Sequence, residues 1–127
     1  MKATFLAIIS LLLVGVMAAG CGGDKYDQKV LSVREGSFYM NPTVPVGKAF
    51  DQFFVNGKWS SFTSTDNEDI VEFKGECTWF NSPATMTVQF ELEGASFSLR
   101  WVDINDVQMD AAESIVIFEK ILSEYKP

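Results

Sequence analysis

The chain has 127 residues, with 10 basic and 17 acidic side chains, a net charge of −7 and no histidine. This length suits one domain, and the acidic balance argues against nucleic acid as a partner. The missing histidine excludes a Ser-His-Asp triad, a Cys-His pair and a histidine-based zinc site.

The N-terminal segment predicts export and a lipid anchor. Lys2 precedes an apolar run over residues 5–19, and residues 18–20 are the small residues Ala-Ala-Gly directly before Cys21. This order resembles the bacterial lipobox, in which the cysteine becomes the lipidated N-terminus, although that motif usually has Leu three residues before the cysteine. A run of about 15 residues is shorter than the roughly 20 that span a bilayer, so an uncleaved transmembrane anchor is less favoured. An ordinary signal peptide cut near residue 19 is the other alternative.

We therefore expect residues 1–20 to be a signal peptide, residues 21–26 to be the lipidated cysteine with a short tether, and residues 27–127 to form a single α+β domain. Removing 20 of the 127 residues leaves 107, too few for two domains. Cys77 would then be the one remaining cysteine, without a disulfide partner in the chain. Because it lies mid-strand and the chain has no histidine to activate it, we expect a buried structural cysteine.

Two helices are predicted ahead of the sheet. Apolar residues at helical spacing favour a short helix over residues 27–35, with a strand over residues 30–34 as the alternative. Pro45 suits the first turn of a second helix over residues 46–54, and Asn56-Gly57 is expected to end it. The apolar positions at helical spacing are Tyr26, directly before the first helix, with Val30 and Val33 in it, and Val46, Ala49, Phe50, Phe53 and Phe54 in the second helix.

Four amphipathic strands follow, joined by short turns. Residues 59–63 form the first, and residues 71–79, 85–92 and 96–101 show a period of two, so one face of the sheet is buried and the other is wet. Turns are expected at residues 66–69, residues 81–83 and Gly94, and turns this short imply an antiparallel meander. The side chains assigned to the buried face are Val71, Phe73, Gly75, Cys77, Trp79, Met86, Val88, Phe90, Leu92, Phe97, Leu99 and Trp101.

A last helix is predicted over residues 110–124, because Asp110 and Glu113 have capping-box spacing ahead of an apolar stripe. The fold class is therefore α+β: a four-stranded antiparallel meander with one face covered by helices, including the C-terminal helix. The helices must cover that face because a single sheet with one apolar side is not stable alone.

Four segments of the chain resemble a family of uncharacterised bacterial extracytoplasmic domains, found as small lipoproteins or at the end of membrane-anchored chains. The segments are residues 33–36, 42–54, 58–62 and 70–75. The resemblance extends over about residues 26–125 and implies a fold and a location, with no catalytic residues to carry over. The order of helices and strands is also similar to the fold of SmpA/OmlA-like assembly lipoproteins and of β-lactamase inhibitor protein, which bind other proteins. The C-terminal helix departs from the simplest form of that fold.

Two acidic loops, residues 66–69 and residues 103–110, are rich in the oxygen ligands that Ca²⁺ prefers. Neither loop has the spacing of a known calcium loop, and turn and cap chemistry explains both. We therefore expect no metal, no cofactor and no catalytic residue.

The candidate interaction residues lie on the wet face and at aromatic strand ends. A flat, mixed polar face is either plain exposed sheet or a docking face for a protein or peptidoglycan. Trp dominates interface energetics, and at most one ring of the Trp79-Phe80 pair should face the core, so the other needs a partner. The candidates are Trp59, Trp79 and Phe80 at strand ends and Glu72, Lys74, Glu76 and Arg100 on the wet face.

These patterns predict a non-catalytic interaction module, held on the extracytoplasmic side of a membrane through Cys21 and on the outer membrane if the host has two. The expected partner is an envelope protein or a wall component. The alternative is a lipoprotein that binds a small apolar or peptide ligand between helices and sheet, which requires a cavity of about 300 Å³ or more. An enzyme with carboxylate or serine chemistry is the least favoured class.

Overall fold

The computed structural model describes residues 26–127. The predicted leader, the predicted lipidation site Cys21 and residues 22–25 of the predicted tether lie outside the described residues. Within residues 26–127, no helix has the length and hydropathy needed to cross a membrane.

Two short helices open the described chain: α1 (Gln28–Arg34) and α2 (Val46–Phe53). α1 begins at Asp27, whose Oδ1 accepts a hydrogen bond from the Val30 amide at 2.8 Å, a cap typically worth about 1 kcal/mol. The predicted helix, rather than its strand alternative, is therefore confirmed. The second helix is confirmed too, with Pro45 as its N-cap residue rather than in its first turn.

The sheet has five antiparallel strands whose spatial order follows the chain: β1 (Val55–Thr63), β2 (Asp69–Trp79), β3 (Ser82–Glu93), β4 (Ser96–Ile104) and β5 (Val107–Gln108). The predicted antiparallel meander is confirmed, but the predicted number of four strands is wrong. β5 is a two-residue strand that pairs with the end of β4 across the turn Asn105-Asp106. A strand this short has no periodicity that a sequence pattern can reveal.

Two expected boundaries are also wrong. Asn56-Gly57 does not end α2; it lies inside β1, where the pairing register shifts and Asn56 has a φ of 55°. The expected turn at residues 81–83 is instead the two-residue turn Phe80-Asn81, and Pro83 belongs to β3 opposite Thr78. A proline fits there because this pair exchanges no ladder hydrogen bonds and its missing N–H faces an edge that β4 does not reach.

A β-bulge at Arg100 reverses the expected direction of Trp101. Leu99 pairs with Phe90 and Trp101 pairs with Gln89, so Arg100 is an extra residue in β4. Because directly opposed residues point to the same side of a sheet, Leu99 faces the helices whereas Trp101 stands on the other face. The prediction that Trp101 belongs to the buried face is therefore wrong.

The core lies between the helices and the inner face of the sheet, the face that the helices cover. Phe50 of α2 is fully buried at the centre of this core. Its ring centroid lies 4.9 Å from that of Phe73 and 6.1 Å from those of Phe90 and Phe118. Aromatic pairs of this kind add about 0.5–1.5 kcal/mol each beyond the area they bury.

Two glycines leave room for the Phe73 ring. A Cβ on Gly57 would lie 2.7 Å from Phe73 Cε1, and one on Gly75 would lie 2.6 Å from Phe73 Cζ. Contacts this short would force a buried ring to move. The Asn56-Gly57 irregularity in β1 is therefore part of the core packing.

The last helix, α3 (Ala111–Ser123), begins with the predicted capping box. Asp110 Oδ1 accepts from the Glu113 amide at 2.7 Å, and Glu113 Oε1 accepts from the Asp110 amide at 3.1 Å. The helix buries Phe118 against Phe50 and Phe90. The predicted α+β class with a C-terminal helix is confirmed.

Candidate interaction surfaces

The outer face of the sheet, opposite the helices, carries a hydrogen-bonded polar network. Gln89 donates from Nε2 to Glu72 Oε2 at 2.8 Å and accepts at Oε1 from Arg100 Nη1 at 2.8 Å. Arg100 also donates from Nη2 to Glu68 Oε1 at 3.0 Å. This partly exposed ion pair contributes less than about 1 kcal/mol to stability. The network brings together two of the predicted site residues, Glu72 and Arg100.

Lys74 and Glu76, the other two candidates on the wet face, lie on the outer face as predicted but outside this network. Lys74 is exposed and stands opposite Lys58 on β1 and Thr87 on β3. Glu76 Oε1 accepts a 3.4 Å hydrogen bond from Asn56 Nδ2. The like charge of Lys58 opposite Lys74 is unfavourable, and the hydrogen bond of Glu76 is long. These contacts therefore do not hold the two side chains in one geometry.

A concave site of about 380 Å³, which we name the outer-face groove, lies where the β1–β2 loop meets the outer face. Phe62 is 41% exposed and pairs with Ile70, a fully buried residue outside the main core. Trp101 reaches the groove because of the bulge and donates from Nε1 to Asp103 Oδ2 at 3.1 Å. The groove is lined by Phe62, Thr63, Ser64, Thr65, Gln89, Arg100 and Trp101.

Sequence reasoning missed this groove, since it singled out neither Phe62 nor Trp101 as a site residue. One signal was present. Trp101 and Val102 are adjacent large apolar residues and cannot both face the core of a regular strand. Such a pair predicts either a bulge or an exposed ring.

A hairpin arm, residues 77–84, projects beyond the rest of the sheet. β1 begins at Val55 opposite Glu76, and the Asn105 amide donates to the Thr85 carbonyl at 2.8 Å, so no described strand flanks the arm beyond these points. Its tip is Phe80, which is 87% exposed. The arm places a large apolar ring in solvent at the far end of the sheet.

Phe80 also has an unfavourable backbone conformation. Its φ is 49° and that of Asn81 is 64°, the left-handed pair that type I′ turns need and that Gly and Asn adopt most easily. The neighbouring Trp79 is half-buried, with its ring centroid 6.5 Å from that of Phe53 and 5.4 Å from that of Phe80. The structure therefore places one ring of the predicted pair towards the core and the other in solvent.

Trp59 lies away from both surfaces. It pairs with Phe73 in the middle of β1, not at a strand end, and its ring centroid lies 5.5 Å from that of Phe50 on the inner face. The Arg34 guanidinium lies 5.6 Å above this ring and bonds Asp51 at 2.8 and 3.1 Å. The hydrogen bonds to Asp51 raise the pKa of Arg34 above the ordinary value of an arginine side chain. These contacts make Trp59 a packing residue at the edge of the core.

Cys77 is half-buried rather than buried as expected, and burial raises the pKa of its thiol.

The acidic loops serve local structure: Asp69 pairs with Lys29 at 3.0 Å, Asp103 accepts from Trp101, and Asp110 caps α3. Among residues 26–127, no group of three or more Asp, Glu or Cys side chains is arranged to hold a metal ion.

Depressions of other sizes mark the surface. The cleft between α2 and α3, beside Ala49 and Ile121, has a volume of about 80 Å³. A depression of about 420 Å³ at the base of the hairpin arm is lined by Phe53, Cys77 and Pro83 among others.

Comparison of the chain with protein families, with curated proteins and with solved structures finds no match.

Proposed function

We propose that this protein is a membrane-anchored extracytoplasmic lipoprotein whose domain is a non-catalytic interaction module for an envelope protein or wall component. The single observation that carries the proposal is the exposed Phe80 ring at the tip of the projecting hairpin arm. A large aromatic residue in solvent gains little from burial, and its left-handed backbone costs about 1 kcal/mol or more. Burial of the ring in a pocket of a partner would recover the missing burial energy and offset the strain of the backbone.

The position of the arm suits a tethered module. Lys29, near the start of α1, bonds Asp69 at the first position of β2, and Trp79 ends that strand. The ten steps from residue 69 to residue 79, at about 3.3 Å each, put the two ends of the strand roughly 33 Å apart. In a lipid-anchored chain, the tether would therefore join the domain at one end while the arm extends from the other.

The non-catalytic part of the proposal has chemical support. The chain has no histidine, the commonest general base, and burial holds the pKa of the Cys77 thiol above its ordinary value. A thiol with a raised pKa is a poor nucleophile at neutral pH. The ligand-binding alternative keeps one candidate site, the depression of about 420 Å³ between Phe53 of α2 and the sheet at the base of the hairpin arm.

The test is affinity capture of the full-length lipidated protein from crosslinked cells, with Phe80→Ser as the variant. Val116→Ser is the matched control, because Val116 is also an exposed apolar residue, at 65%, on the distant α3 helix. We expect one envelope component to be enriched with the wild type and the control and to fall about tenfold with Phe80→Ser, the loss typical of a hot spot. A Cys21→Ala chain tests whether capture needs the predicted anchor.

Two results would contradict the proposal. One is equal capture by the wild type and Phe80→Ser, provided that circular dichroism shows both to be folded. The other is capture of nothing above the background set by an unrelated tagged lipoprotein. Recovery of a small molecule in place of a partner would instead favour the ligand-binding alternative.

A further inference from the structure

We propose that the outer-face groove binds an uncharged saccharide, which deepens the proposed function, and rests on it, by naming the wall component that the domain would contact. The site is built from the exposed Phe62 ring, the half-buried Trp101 ring, a fixed amide and a wall of hydroxyl side chains in a volume of about 380 Å³. That volume lies within the range of small-ligand sites. A sugar ring has an apolar C–H face and a rim of hydroxyl groups, and the groove offers a counterpart to each.

The aromatic rings supply flat apolar contact. The Trp101 indole N–H is already donated to Asp103 at 3.1 Å, so the ring offers its face to a ligand rather than its donor. Phe62 adds a second ring that is 41% exposed above the buried Ile70. Large rings cost little conformational entropy to hold in place, which makes them efficient contact surfaces.

The polar groups of the groove are fixed before any ligand arrives. Gln89 is held at both ends of its amide, by Glu72 and by Arg100, at 2.8 Å each. Ser64 is held as well, since its Oγ lies 3.2 Å from Glu68 Oε1 and accepts from the Glu68 amide at 3.1 Å. Groups that are already ordered lose less entropy on binding, so the groove is organised for hydrogen bonding to a ligand.

The charge of the groove selects against ionic ligands. Glu68 at 3.0 Å neutralises Arg100, the one ionisable side chain among the groove residues. A phosphate or carboxylate would have to compete with this ion pair on a chain of net charge −7. A nucleobase could stack on Trp101, but the attached phosphates would be repelled by the acidic protein. Neutral sugar rings meet neither obstacle.

The test is titration of the full-length protein, in a detergent without sugar headgroups, with chitotetraose and cellotetraose as neutral probes. Affinity is measured by calorimetry, and the binding site by amide NMR shifts. We expect saturable binding of at least one probe, a Kd raised tenfold or more by Trp101→Ala, and partial recovery with Trp101→Phe. Thr65→Val and Phe62→Ser are second variants if Trp101→Ala fails to fold.

Two results would overturn the saccharide proposal: no binding of either probe up to about 10 mM, or binding that Trp101→Ala, Thr65→Val and Phe62→Ser all leave unchanged. Phe80→Ser is the control that separates the two proposals, because it lies on the arm and should not change the Kd for the probes. If Phe80-dependent capture persists without saccharide binding, only the saccharide inference fails. If the probes bind but capture does not depend on Phe80, the proposed role of the hairpin arm fails and the saccharide site in the groove stands.

Discussion

Replacing Phe80 with asparagine distinguishes a ring kept for binding from one kept for stability. Phe80 has a φ of 49° at a turn position that Asn and Gly usually fill. The left-handed conformation costs an ordinary L-residue about 1 kcal/mol, and asparagine recovers much of it. The ring is 87% exposed, so it gains only about 0.3 of the roughly 2.5 kcal/mol that full burial of Phe provides. Its edge-on contact with Trp79, at 5.4 Å, adds at most about 0.5 kcal/mol.

These magnitudes nearly cancel, so Phe80→Asn should leave the free energy of unfolding within about 0.5 kcal/mol of the wild type. Phe80→Ala loses the ring and keeps the strained backbone, so it should be less stable than wild type by about 0.8 kcal/mol. Urea unfolding followed by far-ultraviolet circular dichroism measures both, because tryptophan fluorescence would respond directly to the contact between Trp79 and residue 80. A loss of more than about 1 kcal/mol in Phe80→Asn, or equal stability of the two variants, would refute this reasoning.

Three further predictions concern other parts of the domain. Gly75→Ala should lower the free energy of unfolding by about 1–3 kcal/mol in urea melts, because the new Cβ would lie 2.6 Å from the buried Phe73 ring. Hydrogen bonds from Ser61 and a backbone amide lower the pKa of Asp27 below its ordinary value, so its stabilisation is present above the unfolded-state pKa and is lost as the pH falls through the lower folded-state pKa. Asp27→Ala should therefore cost about 1 kcal/mol at pH 7 and progressively less below pH 4 in parallel melts; a constant difference would contradict the assignment. Cys77 should react more slowly with iodoacetamide in the folded protein than after unfolding, as followed by peptide mass spectrometry, because burial raises its thiol pKa.

The helices could be predicted because their start signals are local in sequence. Asp27 caps α1 and the Asp110–Glu113 pair caps α3, and both act within four residues of the helix start. The apolar face of α2 is likewise a property of eight consecutive residues. Strand existence followed from alternation in the same way, so the α+β class and the meander order were accessible from the pattern alone.

The candidate surfaces were less accessible because they depend on pairing between strands. Whether Trp101 faces the core is decided by its register with β3, where Arg100 adds one residue on one strand only. The exposure of Phe80 depends on a turn that lacks the Asn-Gly signature and lies one residue earlier than the sequence suggested. The alternation of polar and apolar residues within β4 alone predicts the wrong face for Trp101, because it carries no information about the pairing with β3.

The three irregularities of the sheet differ in what they do for packing. The irregularity at Asn56-Gly57 has a structural account, since Gly57 leaves room for the Phe73 ring. The bulge before Trp101 instead moves a large ring from the core side to the outer face, and the Phe80 turn holds another in solvent. Regular pairing would have placed the Trp101 ring on the core side. A glycine or asparagine in place of Phe80 would relieve the backbone strain and lose few contacts. Departures from local rules that turn apolar rings away from the core are what binding surfaces require, which is why the two proposals rest on these two positions and not on the more numerous charged residues around them.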